Sequence, residues 1–261
     1  MKLPIFDIIT EAISDTWENR RDLMTFAFLP VLMVSIIGTV IAAAVGDPQL
    51  VVNEQSQTTA QITVAQFLGS VVMLITVFIF YSLFAVAWHR RILVGPEATT
   101  VGAALHWGRR QWLFFGRIAS LMARLIALMI LLSATITFML QGVLPVIAIL
   151  AAIFIAMGMI YARSALVLPG VATDKPMTFA QSMRLTRGNS WNLVIAIVLL
   201  PLGIMFVTRI VVTLIEASLA GILGPSVTAG FIFTLIVVSV SYFAAAIGIT
   251  ALSLAYRQLT T

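Results

Sequence analysis

Cysteine is absent from this chain, histidine occurs only twice, and ten acidic residues serve 261 positions. The missing thiols exclude disulfides, thiolate metal centres, iron–sulfur clusters, lipoprotein attachment and a Cys nucleophile. Charge of either sign is scarce. Asp, Glu, Lys and Arg make up 10% of the residues, where a soluble domain carries about 25%. Catalytic signatures are missing as well: no H-E-x-x-H, G-x-S-x-G or G-x-x-x-x-G-K-[ST] occurs. His89 and His106 lie far from any acidic cluster, so polar roles at a membrane boundary are expected of them rather than metal binding. The expectation is a protein that is not an enzyme and needs neither cofactor nor metal.

What the sequence has in abundance is apolar residues, 61% of the total, with a mean hydropathy of +1.09. They gather into six runs, at about 25–45, 64–88, 113–140, 143–161, 193–215 and 226–256. Each approaches or exceeds the roughly 20 apolar residues that cross a hydrocarbon core of about 30 Å. They lack the period-two alternation of barrel strands. The predicted fold class is all-α: a polytopic membrane helix bundle of six transmembrane helices, one integral domain over residues 1–261. Acidic residues from Asp7 to Glu18 interrupt the N-terminal stretch, which does not read as a cleavable signal.

The connections sort by charge. Lys2, Arg20 and Arg21 precede the first run, and Arg90, Arg91, Arg109 and Arg110 lie between the second and third, with Arg117 at the start of the third. Arg163, Lys175, Arg184 and Arg187 lie between the fourth and fifth, and Arg257 ends the sixth. The alternate connections hold Asp47, Glu54 and Glu216 but no Lys or Arg. Positive residues favour the cytoplasmic side, so both termini are expected there. The same pattern accounts for the formal charge of +5 without nucleic acid.

A weak internal repeat is visible. Ile9, Ala12, Ile13, Asn19 and Leu23 match Val101, Ala104, Leu105, Gln111 and Phe115. Both match Phe179, Ser182, Met183, Asn189 and Leu193. The reading is three hairpins, at about 4–91, 97–165 and 175–257, each preceded by an amphipathic helix on the cytoplasmic face. In the first of these, Ile5, Ile8, Ala12 and Trp17 oppose an acidic face of Asp7, Glu11, Asp15 and Glu18. The second, near 100–117, and the third are basic, so the first is expected to pack over them. Small residues every four positions (Gly38, Ala42, Gly46; Ala148, Ala152, Ala156; Ala244, Gly248) predict close helix contacts.

Charges inside a span are costly and draw functional attention. The candidate polar intramembrane site comprises Arg124, Arg209, Glu216 and Gln141. Arg124 is close enough to the basic end to snorkel. Arg209 breaks the charge pattern, and either snorkels outward or meets carbonyls, Gln141 or a lipid phosphate. Pro30 and Pro201 occupy nearly equivalent repeat positions, as simple kinks or as interruptions that mark a transport site.

Residues 163–193 carry Arg163, the step Leu168-Pro169, and the pattern Ser182, Thr186, Gly188, Trp191 within RLTRGNSW. This stretch resembles a bacterial family of six-helix inner-membrane proteins of the YciC type, which includes the membrane domain fused to glycerophosphodiester phosphodiesterases. The resemblance implies the same fold and location, with no catalytic residue to carry over. Two functions follow as expectations. One is a non-enzymatic protein organising the membrane or a complex in it. The other is a transporter or lipid-handling protein. The expected partners are the bilayer, its anionic lipid head groups, and a membrane protein partner.

Overall fold

The computed structural model describes residues 2–46, 49–52, 58–98, 100–139, 143–223 and 226–260. Among them six helical stretches are long and apolar enough to cross a membrane, and the chain is a polytopic helical membrane protein. The elements run α1 (Ile5–Glu18), α2 (Arg20–Val45), β1 (Gln49–Val52), β2 (Thr58–Gln61), α3 (Val64–Leu93), α4 (Val101–Leu105), α5 (Arg109–Met139), α6 (Val143–Ser164), α7 (Val167–Ala172), α8 (Phe179–Leu185), α9 (Ser190–Val194), a π-helical turn (Ile195–Leu199), α10 (Leu200–Leu223) and α11 (Val227–Thr260).

Local chemistry sets several boundaries. Thr63 caps α3 and Thr178 caps α8. Each accepts from the backbone of the Gln three residues on, while that Gln side chain bonds back, the reciprocal capping box. Gly188, at φ +88°, turns the chain from α8 into α9, a conformation that costs a residue with a Cβ. Between α2 and α3 the strands β1 and β2 form an antiparallel ribbon, Gln49 opposite Gln61, which the hydropathy of the chain did not signal.

Two of the small residues expected at helix contacts, Gly38 and Gly248, sit at close approaches, while among the described residues a Cβ on Gly46 would meet nothing within 4 Å. A Cβ on Gly38 would stand 3.2 Å from Met73, and one on Gly248 would stand 2.9 Å from the ring of Pro201. Pro201 cannot donate to the carbonyl four residues back, and the helix accommodates it with the π turn, in which the Leu200 amide reaches Ile195 O. Pro30, by contrast, lies buried within a continuous α2.

Burial is uneven along the spans. In α3 every residue from 82 to 89 is buried, and in α11 every residue from 246 to 256. The buried residues of α2 run only from Leu23 to Ser35. These stretches share the end of the bundle that carries both termini. Phe84 stacks on Trp88 there, at 6.2 Å between ring centroids, and meets Tyr242 edge-on at 5.0 Å. A buried polar ladder crosses the same region. The Trp88 indole donates to Thr250 Oγ1 at 2.9 Å, whose hydroxyl is 3.2 Å from that of Thr16 on α1. His89 Nδ1 is 2.8 Å from Ser253 Oγ.

Two expectations about surface helices change. The basic helix foreseen at 100–117 is broken: α4 stops at Leu105, and α5 starts at Arg109 as a spanning helix. The acidic α1 does not pair with the basic α4–α5 or α8 segments. Its apolar stripe, Ile8 and Ala12, is buried against α11 and the π turn, so its acidic face meets the end of α11 instead. Glu11 accepts from Arg257 at 3.2 Å. The N-terminal strand of chain is fixed by Leu3, whose amide donates to Asn189 Oδ1 and whose carbonyl accepts from Asn192.

Candidate functional site: the basic end

The end of the bundle carrying the termini holds every Lys and Arg except Arg209, fourteen cations against seven acids. Four ion pairs organise part of this charge. Asp174, between α7 and α8, adopts φ +61°, a strained backbone for a non-glycine residue. Its carboxylate accepts from Arg110 Nε at 3.0 Å and Nη2 at 2.6 Å, and from Arg90 at 3.2 Å. Arg90 also donates to the Ala172 carbonyl at 3.0 Å, closing the C-terminus of α7, whose every residue is buried. The hydrogen bond from Arg110, aided by both guanidinium charges, holds the Asp174 carboxyl below its ordinary pKa. Arg91 bridges Asp22 and Asn19, both at 2.6 Å, and so ties α3 to the α1–α2 junction. Asp15 is shifted oppositely: burial raises its carboxyl, Glu18 adds to the rise, and Arg257 opposes it.

Other cations at this end have no carboxylate partner among the described residues. Arg21, Arg109, Lys175, Arg184 and Arg187 are exposed. A cavity of about 840 Å³ opens among His106, Arg109, Arg110, Gln111, Asp174 and Pro176. Trp112, 62% exposed, stands beside it in a cluster with Trp107 and Phe115, placed as a membrane-boundary aromatic is.

The motif residues at 163–191 form one local tie. Arg163 O accepts from Ser182 Oγ at 2.6 Å and from Thr186 Oγ1 at 3.4 Å, and Arg163 Nη2 donates to Met183 O at 3.3 Å. The end of α6 is thereby fastened to α8, while Trp191 is 54% exposed.

The structure does not bring the four intramembrane candidates together. Arg124, on α5, lies over the Phe179 ring of the surface helix α8 at 4.0 Å, with Arg117 on the same ring at 5.6 Å. It thus belongs to the basic end. Arg209, on α10, is exposed in a cleft against α11 with Thr208 and Ser241, about 320 Å³ in volume. It stands about 27 Å along the helix from Trp191, at the far edge of a hydrocarbon core of about 30 Å. Glu216 lies about 10 Å further out, and no ion pair joins it to Arg209 among the described residues. Gln141 lies outside the described residues.

Two features escaped the sequence. His89, expected at a membrane boundary, is 1% exposed, held against Ser253 of α11 and the Phe114 ring of α5; His106 is exposed. A chamber of about 320 Å³ is lined by Tyr81, Tyr161, Tyr242 and His89 beside the kink at Pro201. The Tyr242 hydroxyl is buried without a partner, and the chamber shares Met205 and Ser241 with the Arg209 cleft. Tyrosines at scattered positions make no pattern along the sequence, and only the packing of α3, α6 and α11 brings them together.

No protein-family model, no curated protein and no solved structure matches this chain. Among the described residues no three His, Asp or Glu side chains converge as a metal site would require.

Proposed function

We propose that this chain is a non-enzymatic protein of the bacterial inner membrane, with cytoplasmic termini, that organises the bilayer by holding anionic lipid head groups on its basic end. The division between paired and unpaired cations carries this reading. Arg90, Arg91, Arg110 and Arg257 are engaged with acids and fix helices to one another. Arg21, Arg109, Arg184 and Arg187 remain exposed at the boundary, where each basic residue near an anionic leaflet contributes about 1 kcal/mol of attraction. The charge asymmetry between the two ends supports the orientation. Membership of the YciC-like family is part of the proposal and rests on the 163–191 stretch.

The test compares the purified chain in nanodiscs of phosphatidylglycerol and of phosphatidylcholine. A higher melting temperature in phosphatidylglycerol is expected, and the triple substitution R109Q/R184Q/R187Q should reduce the difference. Equal melting of the unmodified chain in both lipids contradicts the proposal.

One observation favours a second reading, transport: the tyrosine-lined chamber with its unpartnered hydroxyl, since buried polar groups in a membrane mark pathways. The chain contains no cysteine, so Tyr242→Cys gives a single thiol. Labelling by a membrane-impermeant maleimide would support a hydrated path; protection from it would favour a closed interior.

A further inference from the structure

A cleft of about 540 Å³ runs between α2 and α11, and its lining changes character along its length. At its mouth stand Trp17 and Arg20, at the α1–α2 junction. Below them the walls are almost wholly apolar, with Phe28 and Leu32 from α2 facing Leu235 and Phe243 from α11. We infer that this cleft seats one anionic phospholipid, its phosphate on Arg20 and one acyl chain along the groove. The inference rests on the proposed binding of anionic lipid and gives it a location.

Dimensions select the occupant. From Arg20 to Leu32 the groove follows α2 for about 18 Å, which matches one leaflet, about half of a 30 Å core. Over that length Leu23, Ala27 and Val31 complete an apolar lining that suits an acyl chain.

Charge selects the head group. Arg20 Nη1 donates to the Trp17 carbonyl at 3.1 Å, and its guanidinium lies 5.5 Å from the centre of the exposed Trp17 ring. That leaves further N–H groups on a guanidinium already held at the membrane boundary. Arg21 follows it, exposed. Of the nearby acids, Asp22 is paired with Arg91, and Glu18, which keeps its charge, accepts from the Ser14 hydroxyl at 3.0 Å back along α1. An amphiphile with a negative head and a single chain in the groove satisfies both ends of the cleft.

The experiment is native mass spectrometry of the full chain in mild detergent, titrated with phosphatidylglycerol or with phosphatidylcholine of the same acyl chains. Two variants probe the two ends: Arg20→Gln removes the head-group contact, and Ser239→Trp fills the groove from an exposed position on its wall. One tight phosphatidylglycerol adduct is expected on the unmodified chain, weakened about tenfold in each variant, the loss of one charge-assisted contact or of the chain's seat. It should persist in R109Q/R184Q/R187Q. Weakening in only one of R20Q and S239W, or in neither, overturns the groove as the seat. If the adduct instead disappears with R109Q/R184Q/R187Q, the basic-end reading stands without the groove. No preference for phosphatidylglycerol in any form of the chain overturns both.

Discussion

The two halves of this bundle solve different problems. In the half that carries the termini, α3 and α11 are buried on all sides over several turns, α2 buries one face against them, and α1 and α7 pack on the same end. In the opposite half α3, α10 and α11 present Val64, Phe67, Val72, Phe206 and Ile232 outward, all exposed. Apolar residues that face lipid gain nothing by turning inward, because lipid is as apolar as they are. Stability must therefore reside where polar bonds, aromatic packing and ion pairs accumulate. The basic half is a fixed platform, and the far half is a set of hairpins solvated by lipid.

The largest expected effect lies at the centre of the platform. Trp88, fully buried and bonded to Thr250, should cost about 3–5 kcal/mol on change to alanine. The same truncation at Phe206 in the far half should cost less than about 0.5 kcal/mol. Denaturation of the two variants in mild detergent makes the comparison, and equal losses would erase the distinction between the halves. Gly248→Val drives a side chain toward the Pro201 ring, 2.9 Å from a Cβ at that position. About 1–3 kcal/mol should be lost, read as a lowered melting temperature.

Smaller effects concern the ion pairs. Asp174 is 59% exposed at its side chain, so Asp174→Asn should cost under about 1 kcal/mol. Its folded pKa is lowered. Its contribution is therefore complete above the ordinary carboxylate range and is lost as pH falls through the lowered folded value. Asp15 has the opposite sign. Its folded pKa is raised, so its charged form destabilises the fold at neutral pH, and the penalty is relieved as pH falls through that raised value. Melting of the two Asn variants against the unmodified chain, from pH 7 to pH 3, should show differences that shrink with acid and that differ in sign.

Much of the architecture was legible because it depends on quantities that add along the chain. Apolar run length gave the six spans, and the small residues Gly38 and Gly248 marked real close approaches. The distribution of arginine singled out the end that holds the ion pairs. What could not be read depends on contacts between distant positions. Arg124 was near enough to the basic end to snorkel, but nothing local tells that the ring it lies over is Phe179. Asp174 is one acid in a basic connection, and nothing local tells that Arg90 and Arg110 converge on it. His89 sits next to an arginine and reads as boundary, yet it is buried against Ser253 and Phe114. The acidic face of α1 was legible, but its partner on α11 was not, since helical periodicity gives a face and not what meets it.

Hydrogen exchange of the full chain in nanodiscs tests most directly whether the basic end is the part that engages anionic lipid. With phosphatidylglycerol in place of phosphatidylcholine, the amides of α1 and α8 should exchange more slowly, while those of β2, at Thr58–Gln61, keep their rate. Unchanged exchange in α1 and α8, or equal slowing at β2, would contradict that account.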